Sequence, residues 1–134
     1  MTATDPLPRK TILCVDDDDS ILRYEKALLE KSGYGVLTAA SAQQGLMLAI
    51  ARNVDAVLLD YKMAGMNGHE VATEIKLLKP ELVIILLSAS DVPTQALALV
   101  DAFVPKIEAS HQLLPMIADL CSRCEKAKPT QEGI

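Results

Sequence analysis

Three aspartates, a serine and a lysine stand at the ends of short apolar runs. Asp16 and Asp17 follow Thr11–Val15, Asp60 closes AVLLD, Ser88 closes LVIILLS, and Lys106 comes just after Ala102–Val104. If the runs are parallel strands, these ends all point one way, and three carboxylates, a hydroxyl and an ammonium gather at one edge. Two carboxylates about 4 Å apart repel by about 4 kcal/mol at an effective dielectric of 20. A divalent cation turns that repulsion into attraction, and hard oxygen ligands that leave room for water and phosphate suit Mg²⁺. The stretch ILCVDDDDSI, residues 12–21, poses the question most sharply, because four adjacent carboxylates follow a run that reads as buried. At least two of them are there to hold a metal. Asp18 and Asp19 read as first-turn carboxylates favoured by a helix dipole.

The elements that must place these groups follow from periodicity. Thr11–Val15, Val36–Ala39, Ala56–Leu59, Leu82–Leu87 and the weaker Ala102–Val104 read as strands. Stretches with helical apolar spacing lie between them. Ile21, Leu22, Leu28 and Leu29 belong to the first, which Gly33 can end in a left-handed C-cap. Ser41 can cap the second, with Leu46 and Ile50 in its apolar stripe. Val71, Ile75 and Leu78 mark the third, a shorter one covers about 93–100, and the last runs from roughly 110 to 127. Pro115 either marks a late start of that last helix or kinks its first turn. Apolar strands alternating with amphipathic helices predict an α/β fold, a parallel sheet covered on both faces and doubly wound by right-handed crossovers. In such sheets ligands sit at the carboxyl ends of the strands, where strand order reverses.

Composition narrows the class. The 134 residues suit one domain, and half of them are apolar. The predicted division is a tail at 1–9, a domain at 10–127 and a tail at 128–134. A net charge of −5 without a Lys/Arg stripe argues against direct binding of nucleic acid or of an anionic membrane. There is no apolar signal region at the amino terminus and no run long enough to span a bilayer. Three cysteines are an odd number, which points to a reducing cytoplasm. Cys121 and Cys124 form one CxxC pair without further ligands and read as structural. Cys14 reads as core, and His69 and His111 have no partner at metal-binding spacing.

The acidic pair in VDDDDSILR, the stretch LLDYKMAGMNG, Ser88-Ala89 and the spacing Phe103-x-x-Lys106 each follow a strand. Together and in this order they resemble the response regulator receiver domains of two-component signalling, over about residues 9–127. The resemblance implies a five-stranded, flavodoxin-like (βα)5 sheet of order 2-1-3-4-5. It implies that Asp60 is the phosphoacceptor, that Asp17 ligates Mg²⁺ directly and Asp16 largely through water, and that the Lys62 backbone carbonyl is a further ligand. Ser88 would bond the phosphoryl group, Lys106 would pair with one of its oxygens, and Phe103 would be the switch aromatic. Gly68 would let the third helix start, and Lys62 and Ser90 occupy positions that tune phosphate access. The implied partners are a sensor histidine kinase or phosphotransfer protein, and a downstream protein on the face of the fourth helix, fifth strand and fifth helix. Such a chain is modified rather than being a turnover enzyme.

Three positions depart from the family pattern. Ile107 stands where proline usually follows the lysine. A non-proline cis bond costs about 2.5–4 kcal/mol, so a rebuilt, trans loop is expected. Ala64 stands where the loop after Asp60 usually has proline. Ser88 and Lys106 are 18 positions apart, which is short by about one turn of roughly 3.6 residues, so the fourth helix should be short. Two other readings compete. An aspartate-nucleophile phosphatase of the haloacid dehalogenase type wants an acid two residues after the nucleophile, where Lys62 stands. A receiver acting without phosphorylation is the other. A nucleotide-binding module is rejected, since it needs a Gly-rich turn where the aspartates are.

Overall fold

The computed structural model describes residues 9–127, with side chains as far as residue 122. Apart from Arg9, both predicted tails lie outside the described residues, as does the side chain of Cys124. Five strands, β1 (Thr11–Val15), β2 (Gly35–Ala39), β3 (Ala56–Asp60), β4 (Val83–Ser88) and β5 (Ala102–Pro105), alternate with helices. These are α1 (Asp19–Lys31), α2 (Ala42–Ala51), α3 (Gly68–Leu78), α4 (Thr94–Leu99) and α5 (Ala109–Ala127). All strand pairs are parallel and the order is β2-β1-β3-β4-β5. The chain therefore reverses direction between β1 and β3, where Val15 pairs with Leu59.

Strand alternation splits the core into two layers. Leu13, Val15, Val57, Leu59, Ile84 and Leu86 face α2, α3 and α4. Ile12, Cys14, Leu58, Ile85, Leu87 and Val104 face Leu22 and Leu29 of α1 and Leu113, Ile117 and Cys121 of α5. Every residue of β3 and β4 is buried, as expected of inner strands covered on both sides.

Helix starts follow local chemistry. Asp18 caps α1 by accepting from the Ser20 and Ile21 amides at 2.9 and 3.4 Å. Ser41 caps α2, and Asn67 with Glu70 forms a capping box at α3. Gly33 follows α1 with φ +96°, the left-handed conformation predicted for it.

Several expectations need correction. The buried face of α2 is Ala42, Gly45 and Ala49, while Ile50 is exposed and Leu46 only partly buried. A Cβ at Gly45 would stand 2.6 Å from a Val15 methyl, so the helix lies too close to β1 for a large-residue stripe. Leu78 is 60% exposed at the end of α3, outside the stripe of Val71 and Ile75. The last helix runs through Pro115, whose missing N–H leaves the His111 carbonyl without its helical donor. The fourth helix has six residues, as the short Ser88–Lys106 interval predicts. There is no cis peptide bond among the described residues, and Lys106–Glu108 form a single 3-10 turn leading into α5.

Candidate functional site

The carboxyl ends of β1 and β3 lie side by side, so Asp16 and Asp60 meet at the point where strand order reverses. Asp16 continues the β1 ladder by donating its amide to the Ala39 carbonyl at 3.1 Å. Tyr61 donates its amide to the Leu87 carbonyl at 2.8 Å, which pins the turn after Asp60 to β4. One ligand oxygen each from Asp16, Asp17 and Asp60 fall within 4.8 Å of one another. Asp16 and Asp60 are buried, while Asp17 is exposed.

The lysine arrives from the far side. Lys106 Nζ lies 2.8 Å from Asp60 Oδ1 and 3.3 Å from Asp16 Oδ2. Burial pushes the Asp60 carboxyl above its ordinary range, Lys106 pulls the other way, and the Asp16 charge adds to the rise. Burial by itself would lower Lys106. The hydrogen bond to Asp60 and the charge of Asp16 outweigh it and hold the ammonium above its usual value. Three carboxylates facing one ammonium leave an excess of negative charge, and an all-oxygen donor set open to solvent through Asp17 fits Mg²⁺.

The four consecutive aspartates take different tasks. Asp16 Oδ1 accepts from the Asp18 amide at 2.9 Å, and Asp17 Oδ2 accepts from the Ala64 amide at 3.2 Å. Asp18 is the helix cap. Asp19 opens α1, where its charge suits the dipole, and lies 3.8 Å from the exposed Arg23.

The other predicted residues lie around this cluster. Ser88 ends β4, buried, and its hydroxyl accepts from the Ser90 amide at 3.1 Å. Phe103 pairs with Leu86 in β5 and is half-buried against the core under α2, α3 and α4. Lys62 is exposed, two residues beyond Asp60 in the loop to α3. Gly68 starts α3 by donating to the Tyr61 carbonyl at 2.7 Å, and a Cβ there would stand 2.8 Å from Tyr61 Cα. The obstacle is backbone, so Gly68→Ala should cost about 1–3 kcal/mol in a denaturant titration, as overpacked sites do. An unchanged midpoint would show that the loop after Asp60 can move aside freely.

Sequence reasoning missed Glu25. It is buried on α1 between Leu22 and Leu29, hydrogen-bonded with the Cys14 thiol. Burial, and then the charge of Asp16, push its carboxyl up to about 8. The same burial, reinforced by Glu25, raises the Cys14 thiol. The spacing 22, 25 and 29 puts it on the buried face of α1, but its charge makes the stripe read as broken there.

Known proteins resemble this chain in sequence and fold. The response regulator receiver domain family matches over residues 12–117. The alkaline phosphatase synthesis transcriptional regulatory protein PhoP of Bacillus subtilis is 30% identical over 127 residues, covering 92% of this chain and 53% of PhoP. The chain thus spans about half of that relative's length, and 28% of the transcriptional regulatory protein YvrH of the same organism. A CheY-like receiver domain protein from Methanospirillum hungatei superposes with a TM-score of 0.85 at 30% identity, covering 90% of this chain and all of that one. The response regulator TrrA of Thermotoga maritima, solved in complex with Mg²⁺-BeF, gives 0.79 at 34% identity, covering 83% and 98%. With the strand order, the acidic edge and the family match over most of its length, the chain belongs to the response regulator receiver domains.

Proposed function

We propose that this domain accepts a phosphoryl group on Asp60 from a histidine kinase or phosphotransfer protein and passes the signal on by protein contact. The reading rests on one observation above all: Lys106 bridges Asp60 and Asp16 beside a third carboxylate, at the sheet's reversal point. Asp60 would attack the phosphorus atom, forming an O–P bond as the bond to the donor's imidazole nitrogen breaks. Carboxylate and phosphoryl group are both anionic, so the step needs positive charge already in place. Lys106 supplies one such charge at hydrogen-bonding distance from Asp60. Asp17 and Asp60, with Asp16 behind them and the Lys62 carbonyl, would hold Mg²⁺, which neutralises phosphoryl oxygens when bound. TrrA's structures with Mg²⁺-BeF and with the histidine kinase ThkA support both the ion and the donor class.

Ser88 would then leave the Ser90 amide for a phosphoryl oxygen, and Phe103 would turn into the space behind it. Phosphorylation shifts such a switch only as far as it binds the two states differently. The downstream partner would read the α4-β5-α5 face; Leu97 of α4 and Ile107 of the turn between β5 and α5 leave apolar side chains in solvent. The odd count of three cysteines supports a place in the reducing cytoplasm, and no described helix is long and apolar enough to cross a membrane. The test is intact mass after incubation with acetyl phosphate. The expected result is one phosphoryl group added with Mg²⁺ present and none after chelation. No adduct, from acetyl phosphate or from a kinase mixture, would leave a receiver that works without phosphorylation.

A further inference from the structure

The loop after Asp60 reaches back to the first strand through its backbone. Ala64 donates its amide to Asp17 Oδ2 at 3.2 Å, across 47 residues of sequence. Asp17 is the exposed member of the three-carboxylate cluster, whereas Asp16 and Asp60 are held by burial and by Lys106. We propose that the Ala64 N–H is a positioning donor for the metal site: it fixes the Asp17 carboxylate towards the cluster and ties the β3–α3 loop to the ion's occupancy. This rests on the Mg²⁺ reading above and adds to it a group that carries no side-chain signal. A carboxylate has lone pairs enough to accept this bond and still bind a cation, and its second bond sets its orientation. Outer-shell contacts of this kind typically account for about 10–100-fold in metal affinity. Proline at position 64 would remove the donor outright. The residue present here is what allows the bond.

The experiment is Mg²⁺ titration by calorimetry of the wild-type chain, Ala64→Ser and Ala64→Pro, with thermal midpoints taken in the absence of metal. Ala64→Ser keeps the N–H and should bind as the wild type does. Ala64→Pro should bind about tenfold more weakly while still melting cooperatively. Equal affinity in a folded Ala64→Pro overturns the inference but leaves the metal site standing. No binding by the wild type removes both. Should the proline variant not fold, hydrogen exchange of the Ala64 amide in the wild type decides. Protection kept or increased on adding Mg²⁺ supports the contact, and protection lost on adding it shows that the ion displaces the bond and overturns the inference.

Discussion

Asp60→Asn takes up no phosphoryl group under conditions that label the wild-type chain. The substitution keeps the size and planarity of the side chain, and its amide oxygen can still accept from Lys106, which lies 2.8 Å from Oδ1 in the parent. It removes the nucleophilic oxygen and one of the three charges in the cluster. Labelling should fall below detection, and Mg²⁺ should bind more weakly. The fold should not suffer. Asp60 is a buried carboxyl raised by desolvation and by repulsion from Asp16 as well as steadied by Lys106, so neutralising it relieves strain as it removes an ion pair. The expected thermal midpoint is equal to or above that of the wild type. Intact mass and calorimetric melting, run side by side, separate the two effects. An adduct on Asp60→Asn would move the acceptor to Asp16 or Asp17, and loss of cooperative melting would make the missing adduct uninformative about chemistry.

The acidic edge was legible because strands advertise themselves. Short apolar runs located all five strands, and in a parallel sheet each following polar residue is delivered to the same edge. Asp16, Asp60 and Lys106 therefore converge although they are far apart in sequence. Contacts that depend on how closely two elements approach were less legible. The small-residue face of α2 follows from Gly45 lying against Val15, a distance no periodicity encodes. The Ala64–Asp17 bond uses a main-chain donor, which every residue but proline carries. Glu25 was hidden for another reason: a charged residue inside an apolar stripe reads as a stripe that stops.

Glu25 should make the domain lose stability as pH rises through the neutral range, and Glu25→Leu should abolish much of that loss. The carboxyl's folded value of about 8 lies above its ordinary 4.5. Below the ordinary value both folded and unfolded chains hold the proton, and the group carries no penalty. Between the two values the unfolded chain releases the proton while the folded chain keeps it. Folding then becomes less favourable by about 1.4 kcal/mol per pH unit, or about 4–5 kcal/mol across the interval, and levels off above it. Asp60, also raised, acts in the same sense, so the wild-type curve alone does not isolate Glu25. The comparison with Glu25→Leu does. Leucine there joins Leu22 and Leu29 in one apolar stripe against Ile12 and Cys14, with no charge to desolvate. The variant should be more stable by several kcal/mol at about pH 9, by less near pH 5, and flatter between. Glu25→Gln should flatten the curve equally but gain less, because its amide must still find partners in an apolar layer. Urea midpoints at a series of pH values give all three curves, and parallel curves for wild type and leucine variant would mean that the carboxyl is ionised in the folded chain at neutral pH. The Asp16 and Asp60 pocket would then carry a further negative charge directly behind it. A neutral Glu25 leaves Lys106 shared between those two carboxylates alone.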